Sequence, residues 1–401
     1  MTGPIRITDL RVTPVFVPIK APLIYSQGSH PGFSRLIVEI DTDAGITGLG
    51  ECYAGAAREG QLAEFRSALI GEDPMRLERL RWKLGSPVAL KLFGQVLPYA
   101  AVEFALLDIQ GKALGVSVSQ LLGGALRDRI DTCGYLFYRH ANGDGEGAVE
   151  NADDLCAFAA DLIAEYGFGS IKYKNGVKHP DEEIETALAL RARFPDHRLR
   201  IDPNAVWSVA TASRVARRLR DCDLEYLEDP TWGMRGLSRV NAKVPYIALA
   251  SNMAVFGIDD LLPAIQSDVV DVVLLDPHWY GGLSRARFAG QVCELADVDV
   301  GMHSGAELGV SLAAMLHLAS VLPNLAVAID THYHHLTDDV IVGGLMPIED
   351  GAIPVPTEPG LGVALDPEKL ALYAELAATK SMGGWTDHGD ADGRVTVTPK
   401  W

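Results

Sequence analysis

Basic side chains are scarce in this 401-residue chain: 35 Lys and Arg stand against 53 Asp and Glu, a formal charge of −18. A surface made for nucleic-acid phosphates needs a basic patch, so that class of partner is excluded. Cysteine is dilute as well. Cys52, Cys133, Cys156, Cys222 and Cys293 lie at wide, irregular spacings with no C-x-x-C pair, poor material for a disulfide framework. A reducing cytosol is the expected compartment, and residues 1–9 hold no apolar run of the kind a secretory leader needs. Uncharged runs are short, with one exception. Residues 308–329 carry no charge over 22 positions, but Pro323 and Asn324 interrupt them. The run reads as a buried helix, a turn and a buried strand, so no membrane span is expected. No G-x-G-x-x-G and no G-x-x-x-x-G-K-[ST] occurs, which removes the phosphate-cradling turns of dinucleotide and P-loop folds.

What is present is 48% hydrophobic and 22% charged residues, the balance of a globular protein long enough to bury a large core. Residues 5–53 read as antiparallel strands, with Thr42-Asp43-Ala44-Gly45 as a turn. From 59 to 122 the pattern is helical; Val102, Ala105, Leu106 and Ile109 share one face. From 131 the texture changes. Strand-like runs at 132–138, 170–173, 199–201, 224–227, 246–250, 269–275, 298–302 and 325–329 alternate with amphipathic helical windows. Eight such strands over about 200 residues is the count for a parallel (β/α)8 barrel of the TIM type. The expected division is an α+β capping unit at 1–125, the barrel at 126–345, and a segment at 346–401 that returns to the capping unit. The stretch from 381 onward shows little periodicity and reads as a tail, either loosely held or pinned by Trp385 or Trp401.

Polar residues interrupt the barrel strands in a regular way. Lys172 and Lys174, then Asp202, Glu228, Asn252, Asp276, His303 and Asp330 stand at the C-terminal ends of strands two to eight. From Lys174 the steps are 28, 26, 24, 24, 27 and 27 residues, one βα unit each time. A closed barrel brings all of them to one rim, where active sites of this fold sit. Helix capping explains any one of these residues but not seven successive ones. Asp202, Glu228 and Asn252 offer only oxygen ligands, which suits Mg2+ rather than Zn2+. Lys172 and Lys174 point the same way on one strand, and a neighbouring ammonium and a metal make a lysine a base near neutrality. His303 is expected to pair with Asp330 on the next strand, a carboxylate that would orient its ring. A base on each side of a metal fits proton abstraction next to a carboxylate.

These strings resemble those of the enolase superfamily, and within it the glucarate dehydratases of the mandelate racemase type. They are Gly134-Tyr-Leu-Phe-Tyr138, Ile171-Lys-Tyr-Lys174, Ile201-Asp-Pro-Asn204, Leu227-Glu-Asp-Pro230, Ala250-Ser-Asn-Met253, Asp276-Pro-His278, Met302-His-Ser304, Asp330-Thr-His332 and Pro359-Gly-Leu-Gly362. The resemblance implies a Mg2+-dependent lyase that abstracts the proton α to a carboxylate through an enediolate. Loss of the β-hydroxyl then leaves a 2-keto-3-deoxy acid. It implies Lys174 as base on one face and His303, with Asp330, as acid and base on the other. Asp202, Glu228 and Asn252 would hold the metal, Lys172 would neutralise the substrate carboxylate, and Asn204 would hydrogen-bond the substrate. His30 matches a capping-loop contact to the distal end of a diacid. Tyr138, Asp276, His278, Ser304 and His332 fall around the substrate. A small-molecule acid sugar as partner, and a homo-oligomeric assembly, are further implications.

The chain also departs from that family. Gly305, Ala306 and Glu307 follow Ser304 where glucarate dehydratases carry asparagine and then histidine; Tyr333 replaces tryptophan and Ala205 replaces glycine. Glu307 either caps the next helix, the favoured expectation, or rejects a second carboxylate. A racemase or epimerase would use the same two bases, and a catalytically silent binding protein is the reading from another class. His332-Tyr333-His334 also mimics the His-x-His of zinc hydrolases, although there the pair ends the first strand.

Overall fold

The turn at 42–46 is closed by one side chain: Thr42 Oγ1 donates to the Ile46 carbonyl (2.8 Å) and accepts its N–H (3.1 Å). Gly45 supplies the φ of +70° that the reversal requires. The turn joins two strands of an antiparallel sheet made of β1 (Ile7–Tyr25), β2 (Gly28–Thr42) and β3 (Thr47–Tyr53). This is a computed structural model, and it describes residues 5–92, 94–379 and 401, with the backbone alone at Pro87. The sequence reading of 381–400, Trp385 included, lies outside the described residues.

The helix Val96–Leu114 is buried nearly all round because it crosses β3 backbone to backbone. A Cβ at Gly48 or Gly50 would lie 2.0 or 1.9 Å from the carbonyls of Ala105 and Ala101, so only glycine fits there. Asp108 on this helix is a three-way clip. It accepts the Leu49 N–H of β3 (2.9 Å), the Lys112 ammonium (2.6 Å) and, from the far end of the chain, the Leu361 N–H (2.8 Å).

The barrel's parallel strands follow, with two short elements between them. β4 (Arg129–Asp131) precedes the first barrel strand, β5 (Gly134–Leu136), and β6 (Tyr138–Arg139) leaves it. Then come β7 (Ser170–Lys174), β8 (Arg198–Asp202), β9 (Leu224–Glu228), β10 (Leu249–Ser251), β11 (Val272–Leu275) and β12 (Asp299–Met302). Seven of these form one curled parallel sheet in the order β12-β11-β10-β9-β8-β7-β5. Residues 325–330 close it. They bridge Val300 through Leu325 and Thr132 through Ile329, with the Ile329 N–H on the Asp131 carbonyl (2.8 Å). The uncharged run therefore divides as its composition suggested, into the buried helix Gly309–Ser320, a turn and this closing segment. Among the described residues no helix is long and apolar enough to cross a membrane.

The two halves are joined in several places. β6 adds to the edge of the capping sheet, pairing Leu23 with Arg139 and Ile24 with Tyr138. After the barrel, β13 (Ala352–Pro354) pairs antiparallel with β4, and the helix Pro367–Thr379 packs against β1. Trp401 lies edge-on to the His179 ring at 5.1 Å.

His317, buried in the helix Gly309–Ser320, ties this assembly together. Its Nδ1 accepts the Ser119 N–H (3.2 Å) and its Nε2 donates to the Leu361 carbonyl (3.1 Å), a pairing that only the neutral ring satisfies. Burial pushes its pKa down to about 4. An unfolded chain binds that proton near pH 6.5, so the ring's contribution is complete above that value and is lost as the pH falls towards 4. The loss amounts to about 3 kcal/mol at the acid end. Denaturant melts of the parent and a His317→Gln variant should therefore lie far apart at pH 7.5 and draw together by pH 4.5. A gap of constant size would contradict this account.

Candidate active site

The rim at the C-terminal ends of the barrel strands carries a cavity of about 240 Å3, roofed by the capping domain through Tyr25, Gln27 and His30. From the barrel, Lys174, Asn204, Asn252, His303, Ser304 and His332 reach its wall. All but His332, which is held by Ser304, are aimed by a carboxylate one strand away or on their own loop. Asp202 Oδ1 accepts the Asn204 N–H (2.8 Å), while Asp229 accepts the N–H groups of Asn252 and Met253 (2.9 Å each) and the Ser251 hydroxyl (2.6 Å). Burial raises the Asp229 carboxyl to about 6. Asn204 and Ala205 both take left-handed φ angles (49° and 61°), which accounts for glycine being usual at 205.

Beneath the cavity lies a packed ionic layer. Lys174 Nζ donates to Asp202 Oδ2 (2.5 Å). Lys172 is fully buried and donates to Asp330 (2.6 Å) and Glu228, with Asp202 at 3.4 Å. Burial disfavours its charge, yet Asp330 and Glu228 outweigh that and hold its pKa well above the usual lysine value. Arg200, also fully buried, donates to Glu225 (2.5 Å) and Asp330 (3.2 Å). Burial raises Glu228, and the charges of Asp202 and Asp330 add to this. Asp202 is held low in spite of burial, by Lys174 and then Lys172.

The structure corrects the expected pairing of His303. Its Nδ1 lies 3.0 Å from Asp276 Oδ2, while Asp330 faces Lys172 and Arg200. Asp276, one strand earlier, is therefore the partner that orients the ring, because β11 and β12 are adjacent and in register at this height. Asp276 also accepts the His278 N–H and pairs with His278 Nδ1 (2.9 Å each), and Tyr53 Oη donates to it at 3.3 Å. Burial opposes ionisation of Asp276, but the His278 and His303 rings outweigh it and keep the carboxyl well below the usual range.

Four further expectations change. Asp276 and His278 do not reach the cavity; His278 is buried among Asp276, Ser311 (2.9 Å) and Arg35 (3.4 Å). Tyr138 faces outward, its hydroxyl between Thr186 (3.2 Å) and Tyr173 (2.9 Å), and Tyr135 and Phe137 line the cavity instead. Lys172 lies under the cavity rather than in its wall. Glu307 does not cap the helix Gly309–Ser320. That role falls to Glu51 of β3, which accepts the Leu308 and Ser311 N–H groups (2.9 and 2.8 Å) while pairing with Arg35 (2.7 Å). Gly305 is explained by the same neighbourhood, since a Cβ there would lie 1.5 Å from Tyr53 Oη. Arg200 was legible, two residues before Asp202 on one strand face. Tyr25, Gln27, Phe256 and Trp279 were not, because loop positions carry no periodic signal.

The donor set suits a hard divalent cation. Asp202, Glu228 and Asn252 present two carboxylates and an amide from adjacent strands, and Asn252 carries a mark of the site. Its amide nitrogen donates to Asp229 Oδ2 (3.0 Å) and Glu228 Oε1 (3.1 Å). A cation among these oxygens favours the opposite amide orientation. His334 and His335 are committed to the Tyr135 backbone (3.3 and 3.0 Å), which takes from the zinc-hydrolase reading the second histidine of its pair.

A family model described as the mandelate racemase/muconate lactonizing enzyme N-terminal domain matches residues 7–123, and an enolase C-terminal domain-like model matches 154–369. The chain belongs to the enolase superfamily. One relative in it is a probable glucarate dehydratase of Streptomyces coelicolor, 39% identical over all of this chain and 98% of its own. Among solved structures, a Mycobacterium smegmatis enolase complexed with tartrate superposes with a TM-score of 0.92 at 39% identity, over the whole of both chains. A Thermobispora bispora enolase complexed with magnesium and formate gives 0.87 at 41%, over 93% of each. The superfamily fold, a capping domain over a curled parallel sheet, is the one described above.

Proposed function

We propose that the protein is a Mg2+-dependent acid-sugar dehydratase, a lyase acting on a polyhydroxy carboxylate. The observation that carries this reading is the placement of Lys174 and His303 in one cavity wall together with the oxygen donor Asn252. Bound at Asp202, Glu228 and Asn252, the cation would neutralise charge developing on the substrate carboxylate. Lys174 Nζ, as the neutral amine, would take the proton α to that carboxylate and become the ammonium. The Asp276 contact assigns the Nδ1 proton to His303, which leaves Nε2 to carry a proton to the departing β-hydroxyl. Asn204, whose buried Oδ1 has no hydrogen-bond partner among the described residues, has acceptor capacity left for a substrate hydroxyl. Lys172 and Asp330 would keep the ionic layer rigid beneath the reacting atoms.

A screen of acid sugars with Mg2+, read as keto acid formed, tests the reading. The Lys174→Ala and His303→Asn proteins should each lose about 100-fold or more in turnover. Deuterium from D2O appearing in recovered substrate, with no keto acid formed, would replace dehydration by epimerisation at the same two bases.

A further inference from the structure

Glu307 is buried and touches no cavity surface, yet it controls a residue that does. Its Oε1 accepts the Thr331 hydroxyl (2.6 Å) and its Oε2 the Ser304 hydroxyl (2.5 Å). Ser304 has a single hydroxyl proton, and that bond uses it. With the Glu307 carboxyl ionised, the contact between Ser304 Oγ and His332 Nδ1 (2.7 Å) runs from the ring N–H to the serine oxygen, which also accepts the His332 backbone N–H (3.2 Å). His332 is thereby held as the Nδ1–H tautomer, its ring in the cavity wall beside Tyr135 (4.8 Å) and Phe137 (5.4 Å). Nε2 forms no hydrogen bond among the described residues, so the cavity meets it as a bare acceptor.

The rest of the wall agrees. Among the described residues, Lys174 is the one lysine or arginine that lines the cavity, and it stands at the reacting end on Asp202. The capping side offers Tyr25, Gln27 and His30, with the His30 ring flat against Tyr25 (4.9 Å, 2°), and the barrel adds the apolar rings of Phe137 and Phe256. One carboxylate has a cationic partner, whereas a second would find aromatic rings and the His332 lone pair, with the Gln27 amide and His30 ring as donors. Resting on the function proposed above, we propose that the substrate is a monocarboxylic polyhydroxy acid rather than a sugar diacid. In this proposal Glu307, acting through Ser304, is a positioning residue that makes His332 accept a hydrogen bond from a substrate hydroxyl.

The test compares six-carbon monoacids with the matching diacids on the magnesium-loaded protein, by keto acid release and by calorimetric binding. Monoacids should be preferred by about 100-fold. Monoacids that bind ahead of diacids but release no keto acid would retire the dehydratase reading and keep this one. Diacids bound equally or better, or no binding of either, would overturn it whatever the reaction. Side-chain 15N NMR, with the His332 signal assigned by its loss in His332→Asn, should show the proton on Nδ1; a proton on Nε2 would overturn the relay. In Glu307→Gln the monoacid preference should fall about tenfold, through KM more than kcat. An unchanged preference would also overturn the relay.

Discussion

Asp276→Asn is expected to lower kcat by about 100- to 10,000-fold while leaving the protein folded, because it removes the carboxylate that fixes the His303 tautomer. The neighbouring change should behave in the opposite way. Asp330 accepts from two fully buried cations, Lys172 (2.6 Å) and Arg200 (3.2 Å), so Asp330→Asn leaves both short of a counter-charge. Breaking a buried ion pair from one side costs about 3–5 kcal/mol, so its main signature should be a lower denaturation midpoint. The pair of variants is informative because sequence spacing alone gives Asp330 to His303. An Asp276 variant that turns over at the parental rate, beside an Asp330 variant that is stable but silent, would restore that pairing.

The second large effect is on stability and falls where capping domain and barrel meet. Glu51 holds Arg35 (2.7 Å) and the first N–H groups of the helix Gly309–Ser320, all out of water. Glu51→Ala strips the guanidinium of its counter-charge and orphans two backbone donors. About 4 kcal/mol or more should be lost in equilibrium unfolding. Arg35 also lies over the Tyr53 ring at 4.1 Å and reaches the Gly305 carbonyl (3.2 Å), so the loss should spread to the loop that carries His303 and Ser304. The double change Arg35→Leu with Glu51→Leu should cost less than the sum of the single ones, because no lone charge remains buried. A single-variant cost below about 1 kcal/mol would show that water reaches the pair.

The barrel was legible because its strands are short apolar runs, each ended by a polar residue one βα unit after the last. Lys174, Asn252 and His303 reach the cavity on that reckoning, and Asn204, Ser304, His332 and His30, which only the resemblance supplied, reach it as well. The misassignments share one cause. Spacing says which strand end a residue occupies, not which neighbour it faces, so Asp330 was given to His303 when Asp276 is the closer carboxylate. Tyr138 was chosen from a string in which period-two alternation puts Tyr135 and Phe137 inward. Glu307 sits at a capping position in sequence, but the cap arrives from Glu51, more than 250 residues earlier in the chain. Contacts across that much chain leave no local trace.

The Asp108 clip has a consequence for the order of events at synthesis. The Leu361 N–H completes it, and the helix Pro367–Thr379 then covers β1, so the first sheet made waits for residues that leave the ribosome after every barrel strand. A nascent chain stalled before residue 361 has its catalytic side chains encoded but lacks the brace that sets their roof. Pairings of such long range are slow to form, and the unfinished β1 face is the surface a chaperone would meet first.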